Sequence, residues 1–146
     1  MENAPVLKYK KLDSDAIAPS RATVESVGYD LHALRSIRLR PFEIAKISTG
    51  IQLIIPTGYY AQIKSRSSIA LDGIRVCAGT IDADYEGEIS VIVQNMLPFT
   101  KIFYFGKKIA QLILHRAEYL QICEINSKNT DPEPSKIRLG GFGSTD

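Results

Sequence analysis

Nowhere does this chain sustain a helical stripe. Its apolar residues come in short, largely β-branched runs, cut off by Pro, Gly, Asn and Asp at roughly 8–12 residue spacing. Such runs stand at 6–12, 27–34, 37–39, 44–47, 51–55, 59–64, 99–105 and 120–125. Strands this short argue for a sandwich or barrel rather than a parallel sheet. The first run alternates apolar and basic residues, as an edge strand does, and 13–25 reads as loop. Pro56-Thr57-Gly58 is a turn with a mechanism, because Pro presets φ and Gly supplies a positive φ. The best helix is about one turn at 67–71. The expected class is all-β.

At 146 residues the chain fits one domain and buries roughly 70% of its unfolded surface, so folding needs neither disulfide nor metal. Two cysteines, Cys77 and Cys123, make no framework, and both read as reduced and intracellular, with Cys77 expected to be buried. They and His32 and His115 lack zinc spacing. A net charge of +2 with interspersed signs is too weak to argue for nucleic acid. Met1-Glu2-Asn3-Ala4-Pro5 holds no apolar signal core, and no run reaches membrane-spanning length. These features predict a soluble protein of the cytoplasm or nucleus.

The stretch 77–95 reads as a β-hairpin, with Thr80 and Ile81 on one limb and 89–93 on the other. Asp82 follows directly on an apolar strand and Tyr85 lies at the polar tip. Asp is a common turn former, but a carboxylate fixed at a strand end can also serve as a base, and a Tyr can offer its ring face to a ligand. Asp30, in Val27-Gly28-Tyr29-Asp30-Leu31, faces away from Tyr29 and Leu31 on a strand of period two. Ser65-Arg66-Ser67-Ser68 is a small-residue loop opening a helical turn, a form that suits phosphate oxygens or serves as a plain surface turn. Gln111 sits among apolar residues, so its amide is either satisfied internally or binds ligand. From residue 126 the composition turns polar and Gly-rich, which predicts a core domain over 1–125 and a mobile arm over 126–146.

Taken together these stretches resemble the five motifs of the trimeric dUTPases, in order. Gly28-Tyr29-Asp30-Leu31 is similar to the first and Arg66-Ser67-Ser68-Ile69-Ala70 to the second. Gly79-Thr80-Ile81-Asp82-Ala83-Asp84-Tyr85-Glu86-Gly87 resembles the third, and Gly106-Lys107-Lys108-Ile109-Ala110-Gln111-Leu112-Ile113 the fourth. Arg138-Leu139-Gly140-Gly141-Phe142-Gly143-Ser144-Thr145 resembles the fifth. Departures stand at Ser65, Ser68, Lys107 and Asp146, and the Arg-to-Phe spacing is one residue short, which leaves Lys136 a rival to Arg138. A turn role is expected at Lys107.

The resemblance implies a jelly-roll-like distorted β-barrel, a homotrimer with sites shared between subunits, and hydrolysis of dUTP to dUMP and pyrophosphate, which keeps uracil out of DNA and supplies dUMP for dTMP synthesis. By the same resemblance Asp82 is the base, activating water for attack on the α-phosphate. Arg66, Ser67, Ser68 and Gln111 meet phosphates, backbone near Ala78, Gly79 and Ser90 reads uracil, and Tyr85 lies under the sugar. Phe142 stacks on the base from an arm whose Arg138, Gly143, Ser144 and Thr145 close the site. Asp30 supports it by orienting metal-bound water or a basic group. Mg²⁺ arrives on the substrate phosphates rather than on protein ligands. Two other readings compete: a dUTPase-like protein that has lost catalysis and serves as an interaction module, and a dCTP deaminase relative using Glu86 or Glu88.

Overall fold

The computed structural model describes residues 4–126; the expected arm and its Lys136, Arg138, Phe142, Gly143, Ser144 and Thr145 lie outside the described residues. The described chain is all-β apart from one short helix. Its elements are β1 (Lys8–Lys11), β2 (Gly28–His32), β3 (Ile37–Leu39), β4 (Ile44–Ile54), β5 (Tyr59–Lys64), α1 (Ser67–Leu71), β6 (Ile74–Ala78), β7 (Thr80–Ile81), β8 (Glu88–Asn95), β9 (Lys101–Phe103) and β10 (Lys108–Arg116). Two four-stranded antiparallel sheets run β1-β4-β8-β6 and β2-β10-β5-β7, with β3-β9 as a separate pair. Among the described residues the sheets stay open and no barrel closes. No described helix is long and apolar enough to cross a membrane.

The core lies where the two sheets face each other. In β8, Ile89, Val91 and Val93 point inward while Glu88, Ser90, Ile92 and Gln94 stay half-covered, the period-two pattern of a strand with one buried face. Ile47, Ile51 and Leu53 join them from β4, and Leu31, Ala61, Ile63, Ala110 and Leu112 come from the opposite sheet. At the end of β8 the fully buried Asn95 donates to the carbonyls of Leu39, Arg40 and Phe99 and accepts from the Leu97 amide at 3.0 Å, which ties β3 and the 96–100 loop to the sandwich.

Four expectations are corrected. The runs at 44–47 and 51–55 are one strand, β4, whose register shifts between Ser48 and Ile51. Gly50 there is a bulge and not a break, because the irregular stretch is tied to distant partners. Thr49 Oγ1 donates to the Ile89 carbonyl at 2.6 Å, Gly50 N to Glu88 Oε2 at 3.0 Å, and Leu12 N to the Gly50 carbonyl at 2.8 Å. Second, Thr80–Ile81 does not pair with β8. It crosses to the other sheet, with Ala61 opposite Ile81 and Gln62 opposite Thr80, while β6 is the partner of β8. Third, 120–125 forms no strand. It has no partner strand among the described residues, and Leu120, Ile122 and Ile125 are exposed. Fourth, Cys77 is exposed, because it sits on the edge strand β6.

Gly50 has φ +71°, and a Cβ there would stand 2.9 Å from the Ala16 Cβ and 3.1 Å from a Leu34 methyl. Gly50→Ala combines left-handed strain with overpacking and should cost on the order of 2–4 kcal/mol. A urea unfolding midpoint equal to the parent's would contradict this.

Candidate active site

The departure of β7 from the hairpin creates the site. The chain leaves one sheet at Ala78, pairs with the other through Thr80–Ile81, and rejoins the first at Glu88. The two limbs are therefore not laddered to each other, and a cleft of about 530 Å³ opens between them. Ala78, Gly79, Thr80, Ile81 and Asp82 line one wall and Glu88, Ser90 and Ile92 the other, with Tyr85, Ile63 and Lys46 completing it. β6 meets β8 only from Ala78↔Ile92 outward, so among the described residues 88–91 have no strand partner on the cleft side. Ile63 N donates to the Gly79 carbonyl at 3.0 Å, which fixes the limb against β5.

Asp82 is exposed, and its main-chain carbonyl closes a turn by accepting from Tyr85 N at 3.1 Å. The Tyr85 hydroxyl donates to the Glu88 carbonyl at 2.8 Å. The ring thus lies back across the turn over Gly87, where any Cβ would collide with it. One hydrogen bond and one glycine hold an otherwise exposed aromatic in a single pose at the cleft mouth.

A second group of residues forms around Asp30. This side chain is buried and pairs with Arg66 Nε at 3.2 Å and Lys108 Nζ at 3.3 Å. Two cations on one buried carboxylate leave the cluster with one net positive charge, suited to an anion. No other contact engages the terminal nitrogens of Arg66 among the described residues. Ser67 and Ser68 follow at the exposed start of α1. Gln111 lies opposite Asp30 on β10 and donates from Nε2 to the Ser65 carbonyl at 3.0 Å. A Cβ at Gly28 would strike the Gln111 amide oxygen, so the glycine makes room for that side chain. Lys107 caps a turn, with its amide bonded to the Tyr104 carbonyl at 3.1 Å.

His32 extends this cluster. Burial pushes its imidazole below the ordinary value of 6.5; Asp30 opposes the shift, while Lys108 and Arg66 add to it. The folded state therefore holds the His32 proton less readily than the unfolded chain does. The stability this contributes is complete above 6.5 and is lost as pH falls from there through the lowered folded value. Lowering pH from about 7.5 to about 5.5 should reduce the unfolding midpoint more in the parent than in His32→Gln. Parallel pH profiles for the two would count against it.

The structure brings Asp82, Tyr85, Ala78, Gly79 and Ser90 to one cleft, and Asp30, Arg66, Ser67, Ser68 and Gln111 to the other group. No member of the second group lines the cleft. Lys46 and Ile92 were missed as site residues, and Glu88 was named only under the competing deaminase reading. Period two from Ser90 gives Glu88 and Ile92, but Lys46 depends on the β4–β8 register, where it stands opposite Ile92. Among the described residues no three His, Cys, Asp or Glu side chains cluster to hold a metal.

A family model described as dUTPase matches residues 14–146. The deoxyuridine 5'-triphosphate nucleotidohydrolase of a Hydrogenobaculum species is 40% identical over 144 residues, covering 95% of this chain and 96% of its own length. The dUTPase of Staphylococcus bacteriophage 80alpha, solved with dUPNHPP, superposes with a TM-score of 0.85 at 23% identity, over 97% of this chain and 98% of that one. A mutant dUTPase from phage phi11 of S. aureus, described with a coordinated structural Mg(II) ion, gives a TM-score of 0.79 at 22% identity, over 86% and 99%. The order of the motifs, the cleft around the third of them and the match across nearly the whole length converge, and the chain belongs to the dUTPase family.

Proposed function

We propose that this protein hydrolyses dUTP to dUMP and pyrophosphate, with Asp82 as the base that activates water for attack on the α-phosphorus. The observation that carries the reading is the cleft itself, in which the Asp82 carboxylate, the fixed Tyr85 ring and the unpaired 88–91 edge meet. Uracil fits against that edge, near Ala78, Gly79 and Ser90, where backbone groups can hydrogen-bond one base edge and refuse another. The sugar lies on Tyr85, whose ring leaves no room for a ribose 2′-hydroxyl.

The triphosphate belongs with Arg66, Ser67, Ser68 and Gln111, pre-oriented through Asp30 and Ser65. Since that group does not line the same chain's cleft, a homotrimer of jelly-roll subunits completes each site across a subunit contact. The exposed apolar side chains of Tyr119, Leu120, Ile122 and Ile125 favour such contact. Arg138, Phe142, Gly143, Ser144 and Thr145 close the site from the arm, with Phe142 stacking on uracil. Mg²⁺ would be held by the substrate phosphates beside Arg66, Ser67 and Ser68 and would neutralise part of their charge. Pyrophosphate release from dUTP, dTTP, UTP and dCTP, with Mg²⁺ and with EDTA, tests the reading. Selective release from dUTP that EDTA abolishes is expected; no release from dUTP defeats it.

Tyr85→Ala should raise UTP hydrolysis relative to dUTP more than it changes the preference between bases. Tyr85→Phe, which keeps the ring, should hold the parent's sugar preference. An unchanged UTP-to-dUTP ratio in the Ala variant would show that the ring does not guard the 2′ position.

A further inference from the structure

We infer that Lys46 is a specificity-determining residue that reads the far edge of the base, donating from its ammonium to a ring carbonyl and thereby favouring uracil over cytosine. This rests on the proposed binding of a deoxyuridine nucleotide in the cleft. Among the described residues lining the cleft Lys46 is the one cation, beside the carboxylates of Asp82 and Glu88. Its ammonium makes no ion pair or hydrogen bond with any described residue. A lysine facing a cleft with its three donors unspent is a recognition group in waiting.

Its position decides what it meets. Along β8 the side chains facing the cleft are Glu88, Ser90 and Ile92 in turn. Tyr85, bonded to the Glu88 carbonyl, marks the sugar end. Lys46 stands opposite Ile92, and Ile92 opposite Ala78, so these three form a row across the sheet at the other end. A pyrimidine whose sugar lies on Tyr85 directs position 4 of its ring toward that row. Uracil carries a carbonyl acceptor there and cytosine an amino donor. An ammonium has donors only, so it rewards the first and confronts the second.

The test compares kcat/KM for dUTP and dCTP, read as pyrophosphate release, in the parent, Lys46→Met and Lys46→Arg. The exposed position makes both variants compatible with folding. A hydrogen bond from a charged donor is worth roughly tenfold or more in discrimination. Lys46→Met should therefore lower the dUTP-to-dCTP preference about tenfold, while Lys46→Arg, still a pure donor, retains most of it. Calorimetric titration with dUMP and dCMP should give the same change in preference without turnover. An equal loss for both nucleotides would mean that Lys46 acts only through long-range charge, and would overturn the inference. An unchanged preference with a smaller assembly mass would make Lys46 a subunit contact and overturn it equally. Failure of the parent to hydrolyse dUTP strikes the proposed function instead; the dUMP and dCMP titrations still judge Lys46, and no preference between them in the parent removes its role.

Discussion

Asp82→Asn should keep the fold and the cleft yet lower turnover of dUTP at least about 100-fold, the lower range for loss of a positioned base. The structure separates the two effects. The turn is closed by the Asp82 main-chain carbonyl and the Tyr85 amide, and neither changes when the carboxylate becomes an amide. The Tyr85 hydroxyl bond to Glu88 and the close fit over Gly87 are likewise independent of the side chain at 82. What disappears is the proton acceptor facing the cleft. Affinity for dUPNHPP, measured by calorimetry, should stay within a few-fold, so the loss falls on kcat. Asp84→Asn is the matched control. Asp84 is absent from the cleft lining and borders the neighbouring cavity with Thr57 and Tyr119, whereas Asp82 borders both, so the Asp84 variant should turn over like the parent. An Asp82→Asn protein with parental kcat would end the base assignment. A fall in affinity as large as the fall in kcat would show that Asp82 positions substrate and does not activate water.

What could be read from the sequence was what depends on neighbouring residues. The strand Tyr59–Lys64, the strand Ile37–Leu39 and the helical turn Ser67–Leu71 follow from local alternation and turn chemistry, and all three stand where the sequence puts them. Gly50 misled because a glycine between two apolar runs looks the same whether the chain breaks or bulges; the difference lies in distant partners, Glu88 and Leu12. The hairpin misled for the same reason. Thr80 and Ile81 are equally good strand residues against β8 or β5, and only the packing of the two sheets selects β5. That selection also makes the cleft, so the least legible pairing is the one on which the site depends. The motif residues were legible by resemblance. The resemblance also implied that Asp30 could orient a basic group, but not that its partners are Arg66 and Lys108, since the tie joins residues distant in sequence. Lys46 escaped notice because a lysine in Ile44-Ala45-Lys46-Ile47 reads as an ordinary outward position.

Two inactive proteins should restore activity to each other if the site is shared as proposed. One is Asp82→Asn with its arm intact. The other ends after Pro134, keeping Asp82 but lacking residues 135–146. Neither homotrimer contains a site in which an intact Asp82 meets an intact arm. A mixed trimer contains one such site, because closed threefold symmetry passes each arm in one direction around the ring. With equal random mixing about three trimers in four are mixed, so roughly a quarter of all sites should work. The proteins must be unfolded and refolded together, since folded trimers with a large apolar contact do not exchange subunits on the time of an assay. Activity should then rise with the product of the two subunit fractions and peak at equal mixing. A site built within one chain predicts no recovery at any ratio, because each polypeptide would still lack one of the two parts. Mixed trimers detected by mass without activity above the separate variants would therefore rule out sharing between Asp82 and the arm. Sustained activity of the truncated protein alone would remove the arm from catalysis altogether.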